Sequence, residues 1–310
     1  MTVLKNAVNE YLALRRSLGY RLHRTEAQLN AFVSFMERQG ERHITTKLAM
    51  RWVRESAPGA TVNAVERLGA VRRFAKFWSA ADPCTEVPPA GLIRRPRVAV
   101  HPYIYTATEI NRLMQAARKL PSPEGFRAHT YYCLLGLLAV TGLRIGEAMK
   151  LRIDDVNLDE GLLTIKGTKF GKSRLVPLHP TTIKALADYA KRRASLLGKT
   201  RLPTFFVNER RSPLSDTNIH DTFVKLRRNA GLAGAKDRVG PRLHDFRHRF
   251  AVQTLLNWYR AGEDVERLLP VLSTFLGHSR VQNTYWYLSS APELLGVASK
   301  RLEKRWGGQR

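Results

Sequence analysis

Cysteine is scarce in this chain. Cys84 and Cys133 are the only two in 310 residues, and neither has a CxxC partner or a Cys/His cluster beside it. That excludes a disulfide framework and a thiolate zinc site, and both are expected to be buried thiols in a reducing compartment. Long apolar runs are missing too: nothing approaches the roughly 20 residues a membrane span requires. Met1 to Asn6 lacks the apolar core and cleavage site of a secretory signal, so a cytosolic, prokaryotic protein able to associate with the nucleoid is expected. Negative charge is in short supply, with 26 acidic side chains against 52 basic ones, a formal net charge of +26. The excess is not a tail, because residues 1–100 hold 17 basic and 8 acidic side chains and the rest of the chain carries the remainder. A folded protein with this imbalance needs a polyanion. No segment combines a basic face with a Trp/Phe/Leu face, so nucleic acid is favoured over a membrane surface.

What the chain does have is an ordinary apolar fraction of 44%, and enough length for two domains that each bury a core. Residues 4–80 carry apolar positions at helical spacing in four segments. Val8, Tyr11, Leu12 and Leu14 suit a first helix, Leu29 to Met36 a second, Leu48 to Val53 a third capped by Thr45 or Thr46, and Val65 to Phe77 a fourth. Arg72, Arg73 and Lys76 lie between the apolar positions of the last, as side chains that could grip phosphates. From Ala80 to Tyr105 the pattern breaks at Pro83, Pro88-Pro89 and Arg94-Arg95-Pro96-Arg97. We therefore expect a helical domain over 1–90, an extended basic linker over 91–104 and a second domain over 105–310.

The second domain is expected to be mostly helical with one small antiparallel sheet. Thr106-Ala107-Thr108-Glu109 is a capping box. Tyr131 to Val140 is nearly all apolar, as a buried central helix would be. Leu162–Ile165 and Arg174–Leu178 suit two strands joined by a loop that carries Lys169 and Lys172. Ile183–Leu197, Thr217–Ala230 and Leu243–Trp258 suit helices, then Val265–Leu276, interrupted at Pro270, and a last helix after Pro292.

Five pieces of chemical interest follow in order: Thr141-Gly142-Leu143-Arg144-Ile145-Gly146-Glu147, the loop lysine, His244-Asp245-Phe246-Arg247, Leu276-Gly277-His278, and Tyr287 nine residues beyond that histidine. Each is ordinary alone. An HxxR on a helix is common, a lysine between glycines is usually a polar loop residue, and Tyr-Trp-Tyr more often packs than reacts. Together they supply a complete set of roles. Two guanidiniums offer planar forks that match phosphate oxygens and can stabilise a five-coordinate transition state. A phenol can displace a deoxyribose oxygen and form a phosphotyrosyl bond. Its free pKa near 10 calls for a base or a cationic surround, and the leaving alkoxide needs a proton that a lysine could give. Neither metal nor cofactor is needed. From the residues alone Lys169, Lys172 or Lys166 could be the acid. Tyr285 and Tyr287, two apart, would face opposite ways on a helix.

These motifs, with the RLVPL strand after the lysine loop, resemble the tyrosine recombinases of the phage-integrase and Xer type, closely from about Thr106 to Leu288 and by architecture only before that. The resemblance implies a catalytic set of Arg144, Lys169, His244, Arg247, His278 and Tyr287, with Glu147 supporting Arg144. It implies a SAM-like core-binding domain that clamps DNA opposite the catalytic domain. It also implies four protomers on two double-stranded DNA sites, docked through a C-terminal segment at Leu294, Leu295, Val297, Ala298 and Leu302. Arg94, Arg95, Arg97, Lys172 and Arg242 join Arg72, Arg73 and Lys76 as expected DNA contacts. Tyr285-Trp286-Tyr287-Leu288-Ser289 resembles transposon-borne members, some of which work beside sister recombinases. A longer, charged stretch over Glu263–Pro270 departs from the family pattern.

Other classes fit less well. A non-enzymatic DNA-binding relative would be expected to have lost part of the set, yet all six positions hold competent residues. A type IB topoisomerase or telomere resolvase would be longer. A metal-dependent transposase would need clustered carboxylates, and Asp154-Asp155 and Asp159-Glu160 suit solvated loops.

Overall fold

The structure is a computed structural model. It describes residues 3–303 apart from 21, 58, 60, 95–101, 123, 167–172, 233–239, 291–292, 297–298 and 300–302. The chain divides into two compact units, Met1–Val100 and His101–Arg310.

The first unit is a bundle of four helices, α1 (Val3–Ser17), α2 (His23–Gln39), α3 (Thr46–Ser56) and α4 (Val62–Trp78). One apolar stripe from each helix meets in a core that includes Val8, Leu12, Phe32, Met36, Trp52 and Phe74. Thr45 and Thr61 cap α3 and α4 by accepting from the amides of Leu48 and Ala64. Arg73, Lys76 and Arg94 are exposed and Arg72 is half-buried, while Arg95 and Arg97 lie outside the described residues. Cys84 is exposed, contrary to the buried thiol expected, because it sits in the polar turn after α4; Cys133 is buried.

The second unit comprises α5 (Ala107–Arg118), α6 (Phe126–Thr141), α7 (Ile145–Met149), β1 (Val156–Asn157), β2 (Leu162–Ile165), β3 (Arg174–Pro177), α8 (Pro180–Leu197), α9 (Asp216–Asn229), α10 (Asp245–Arg260), α11 (Val265–Leu276) and α12 (Gln282–Ser290). α6 is central, apolar on nearly every side, and packs against α5, α8 and α10. The sheet is antiparallel in the order β1-β2-β3, with a short first strand that the apolar pattern does not announce. Its register pairs Ile165 with Arg174 and Leu163 with Val176. Alternation along β3 therefore turns Arg174 and Val176 inward, and leaves Leu175 60% exposed.

A smaller core between α10, α11 and α12 holds Leu255, Leu269, Leu272, Leu276, Tyr287 and Leu294. Leu294 is thus buried within its own chain. Leu295 is exposed, and Val297, Ala298 and Leu302 lie outside the described residues. α11 runs unbroken through Pro270, where an interruption is expected from the sequence. Buried Leu269 and Leu272 hold it on α10, offsetting the missing amide. Asp155 is no solvated loop residue: it is buried, accepts from the Arg152 amide and pairs with Lys166 at 2.6 Å.

The capping box at α5 forms as expected, with Thr106 and Glu109 each accepting from the other's amide. Tyr105, just before it, packs on Phe246 of α10 at 4.7 Å. Thr106→Ala is expected to lower unfolding stability by about 1 kcal/mol, measured as a shift in the urea midpoint.

Candidate active site

The site is assembled where several helix ends meet. α6 ends on Gly142, whose φ of 61° is left-handed, and a Cβ there would lie 2.7 Å from the Phe250 ring. The chain then turns sharply, and Arg144 becomes the residue before α7 in an extended conformation. Its amide donates to Glu147 Oε2 at 3.1 Å and its Nη1 donates to Glu147 Oε1 at 2.8 Å.

α11 ends at Gly277, also left-handed at φ 68°. The last carbonyls of a helix have no partners within it and carry the negative end of its dipole. Here three successive carbonyls each receive a guanidinium. Phe275 O accepts from Arg174 Nε at 2.7 Å, Leu276 O from Arg247 Nη2 at 2.6 Å, and Gly277 O from Arg144 Nη2 at 3.2 Å. Arg247 also donates to Gly142 O at 2.9 Å, so it joins the ends of α6 and α11. It is 1% exposed, and burial, then the charge of Arg144, brings its pKa down to about 10. Arg174 closes the arrangement with Nη2 on Glu147 Oε2 at 2.7 Å and Nη1 on Oε1 at 3.2 Å. Burial pushes the Glu147 carboxyl up, but the hydrogen bond and charge of Arg174, with Arg144 behind them, hold it below the usual range.

His278 follows at once. Its Nδ1 lies 2.8 Å from the hydroxyl of fully buried Thr284, which leaves Nε2 for a ligand. Its ring stacks on that of Tyr287, with centroids 6.2 Å apart and planes 17° off parallel. Tyr287 is 2% exposed and Tyr285 48%, so the two do face opposite ways on α12. Burial raises the Tyr287 pKa; the charge of Arg247 and a hydrogen bond from it act against the rise. Buried His248 also lies against Tyr287, 5.6 Å away between centroids, with the His244 ring edge-on to it at 4.7 Å. Burial lowers all three imidazoles. The arginines add to this at His278, which falls to about 4, and His248 also falls to about 4, with His244 as its next cause. At neutral pH the His248 and His278 rings are therefore uncharged.

Arg144, Glu147, His244, Arg247, His278 and Tyr287 thus come together. Lys169 and Lys172 lie outside the described residues. Arg242 stands beside the group on an exposed side chain paired with buried Asp245 at 3.0 Å. Arg174, His248 and Thr284 were not singled out from the sequence. Arg174 had one signal: a charged residue two positions from a buried valine on a short strand. A potential ligand cluster lies elsewhere, where His43, Asp82 and Cys84 bring one donor atom each within 4.8 Å of one another. Asp82 is already engaged there by His43, the Thr85 hydroxyl and the Cys84 amide, as expected of a turn staple.

A three-stranded sheet on a helical body, with arginines, histidines and one buried tyrosine gathered at helix ends, defines the class as tyrosine recombinase. The profile of the phage integrase family matches residues 104–293. The chain is 48% identical to the integrase/recombinase y4rB of Sinorhizobium fredii, over 99% of each chain. It is 30% identical to the tyrosine recombinase XerD of Staphylococcus haemolyticus, over 89% of this chain and 85% of that one. Among solved structures, the fold matches the Tn1549 transposon integrase in complex with transposon right end DNA with a TM-score of 0.67, at 16% identity, over 99% of this chain and 100% of that one. It matches a lambda integrase tetramer bound to a Holliday junction with a TM-score of 0.59, at 21% identity, over 90% and 78%. The chain belongs to the phage integrase family.

Two outcomes follow from this geometry. A Cβ on Gly277 would come within 2.6 Å of the Arg174 guanidinium and force a left-handed alanine. Gly277→Ala should therefore cost at least about 1–2 kcal/mol of stability, read by urea denaturation. For pH, the unfolded histidines protonate near 6.5, whereas folded His248 and His278 resist down to about 4. The unfolded chain then binds more protons over that window, so stability falls as pH drops from 6.5 towards 4. The thermal midpoint should fall between pH 7 and pH 5, and less steeply in His248→Gln.

Proposed function

We propose that this protein is a site-specific DNA recombinase that cuts and rejoins DNA through a 3′-phosphotyrosyl intermediate, without metal or nucleotide cofactor. The observation that carries the reading is the placement of the Tyr287 phenol, stacked on His278 and hydrogen-bonded by Arg247. Arg144 and Arg247 take the non-bridging oxygens of the scissile phosphate. His278 donates from Nε2 while the Thr284 hydroxyl donates to Nδ1 and fixes that tautomer. Tyr287 Oη attacks phosphorus, and His244 assists by taking up its proton. The bond from phosphorus to the 5′-oxygen breaks, and Lys169 protonates the departing oxygen. Arg144 and Arg247 act as fixed dipoles and charges that need no rearrangement as the phosphorane forms. Because the phosphotyrosyl bond conserves the phosphodiester's energy, a 5′-hydroxyl of the partner strand can reseal it.

Residues 1–90 act as the DNA clamp, with Arg72, Arg73 and Lys76 on phosphates, and the linker over 91–104 adds basic side chains for the same polyanion. Four protomers act on two double-stranded sites through a Holliday junction, as the lambda integrase tetramer and its junction support. A mobile element is the setting that the Tn1549 integrase favours, with sister recombinases as possible partners. The protein works in the cytoplasm on the nucleoid.

The test is a nicked suicide duplex carrying the sequence that flanks the element, incubated in EDTA. Wild type and Tyr285→Phe should give a covalent protein–DNA band and Tyr287→Phe none. A band lost only in Tyr285→Phe would move the nucleophile. Tight DNA binding by wild type with no band would favour an architectural role.

A further inference from the structure

We infer that Arg174 is a positioning residue for the phosphate-binding half of the site. It holds Arg144, through Glu147, and His278, through the end of α11, in working register. The inference rests on the recombinase reading above.

Arg174 is the first residue of β3, and no motif reasoning assigns it a role. Its side chain is only 7% exposed. A buried arginine is costly unless its charge is paired and its nitrogens find acceptors. Here Nε, Nη1 and Nη2 are all committed, to Phe275 O, Glu147 Oε1 and Glu147 Oε2. Those partners come from the turn after α6 and from the last turn of α11, and Arg174 links both to the sheet. Glu147 is the acceptor it shares with Arg144, since Oε1 takes both Arg144 Nη1 and Arg174 Nη1. Without Arg174 the carboxylate loses two of its four donors and is free to rotate about its last bonds, carrying Arg144 with it. At the other end, Phe275 lies three residues before His278, and the guanidinium fills the space beside Gly277 that a Cβ would otherwise occupy. Removing it frees the left-handed turn from which the imidazole projects. The bonds of Arg174 run to Glu147 and the α11 terminus, and on this inference it acts through these neighbours.

A reading in which Arg174 merely stabilises the fold predicts something different. It predicts loss of folded protein, with the remainder as active as wild type. A third possibility is that Arg174, at the foot of the lysine loop, serves the leaving group. The substrates and variants can separate all three.

Rates of covalent-complex formation are measured at saturating nicked duplex for wild type, Arg174→Gln, Arg174→Lys, Glu147→Gln and the Arg174→Gln/Glu147→Gln pair. Duplex affinity and thermal midpoint are measured alongside. Arg174→Gln should cleave ~100-fold more slowly, the scale of a misplaced catalytic group, with affinity within about threefold of wild type. Arg174→Lys keeps the charge but not the planar fork, folds as wild type, and recovers only part of the rate. The pair should be no slower than the worse single variant, as expected for residues acting as one unit.

The same set is then assayed on a duplex with sulfur at the 5′-bridging position. There the Tyr287 oxygen–phosphorus bond forms, the phosphorus–sulfur bond breaks, and the thiolate leaves without a proton. This substrate should restore a variant lacking both Lys169 and Lys172, and should leave the Arg174→Gln defect in place. Restoration of Arg174→Gln by sulfur would overturn the inference in favour of a leaving-group role. Wild-type rates in folded Arg174→Gln or Arg174→Lys would overturn it outright. If wild type itself forms no covalent complex, it is the recombinase reading that has failed.

Discussion

Three guanidiniums on three consecutive carbonyls at the end of α11 form the contact on which the rest of the site depends. Arg174 and Arg247 are buried and Arg144 is half-buried; cations withdrawn from water are costly, and one carboxylate, Glu147, cannot balance three of them. The unpaired carbonyls of the last helical turn supply the remaining acceptors, at the negative end of the helix dipole. What remains is a cluster whose charge is still strongly positive, and it shows in its neighbours. His278 is driven down to about 4 by burial first, and then by the charges of Arg247 and Arg144, since a second proton there has no counter-ion. A phosphodiester is the ligand that would supply the missing negative charge.

Two glycines make this geometry possible. Gly142 and Gly277 end α6 and α11 in the left-handed region, so both helices stop abruptly and present their carbonyls to Arg247 from two directions. Neither position has room for a Cβ, because Phe250 closes on one and Arg174 on the other. α12 then returns Tyr287 into the same small core, and Thr284, one turn earlier on that helix, fixes His278. The helix that carries Tyr287 and the histidine that stacks on that ring are therefore held by one another.

Much of this was legible in the chain. Arg144 and Glu147 around a helix break, HxxR at the start of α10, and the nine-residue interval from His278 to Tyr287 are local patterns, with spacings that backbone geometry turns into shared faces. The capping box at Thr106 and the apolar run of α6 follow the same logic. Elsewhere the local signal misled. Pro270 suggested a break that buried leucines override, and Cys84 suggested a buried thiol but lies in a polar turn. Along Arg174-Leu175-Val176, apolar Leu175 faces solvent while the arginine goes inside, since only the strand register and the acceptors across from it decide which face is buried.

By itself the sequence determined the charge balance, the helical character, the capping and helix-ending residues, and which arginines, histidines and tyrosine to look for as a group. These are set by residue type and by neighbours a few positions away. Tertiary structure alone decided that Arg174 belongs with Glu147 and the α11 terminus, 27 and about a hundred residues distant. It also decided that Thr284 sets the His278 ring, and that His248 lies against Tyr287. The physical reason is the same for each: a buried donor is placed by the acceptor that satisfies it, and that acceptor comes from a distant part of the chain.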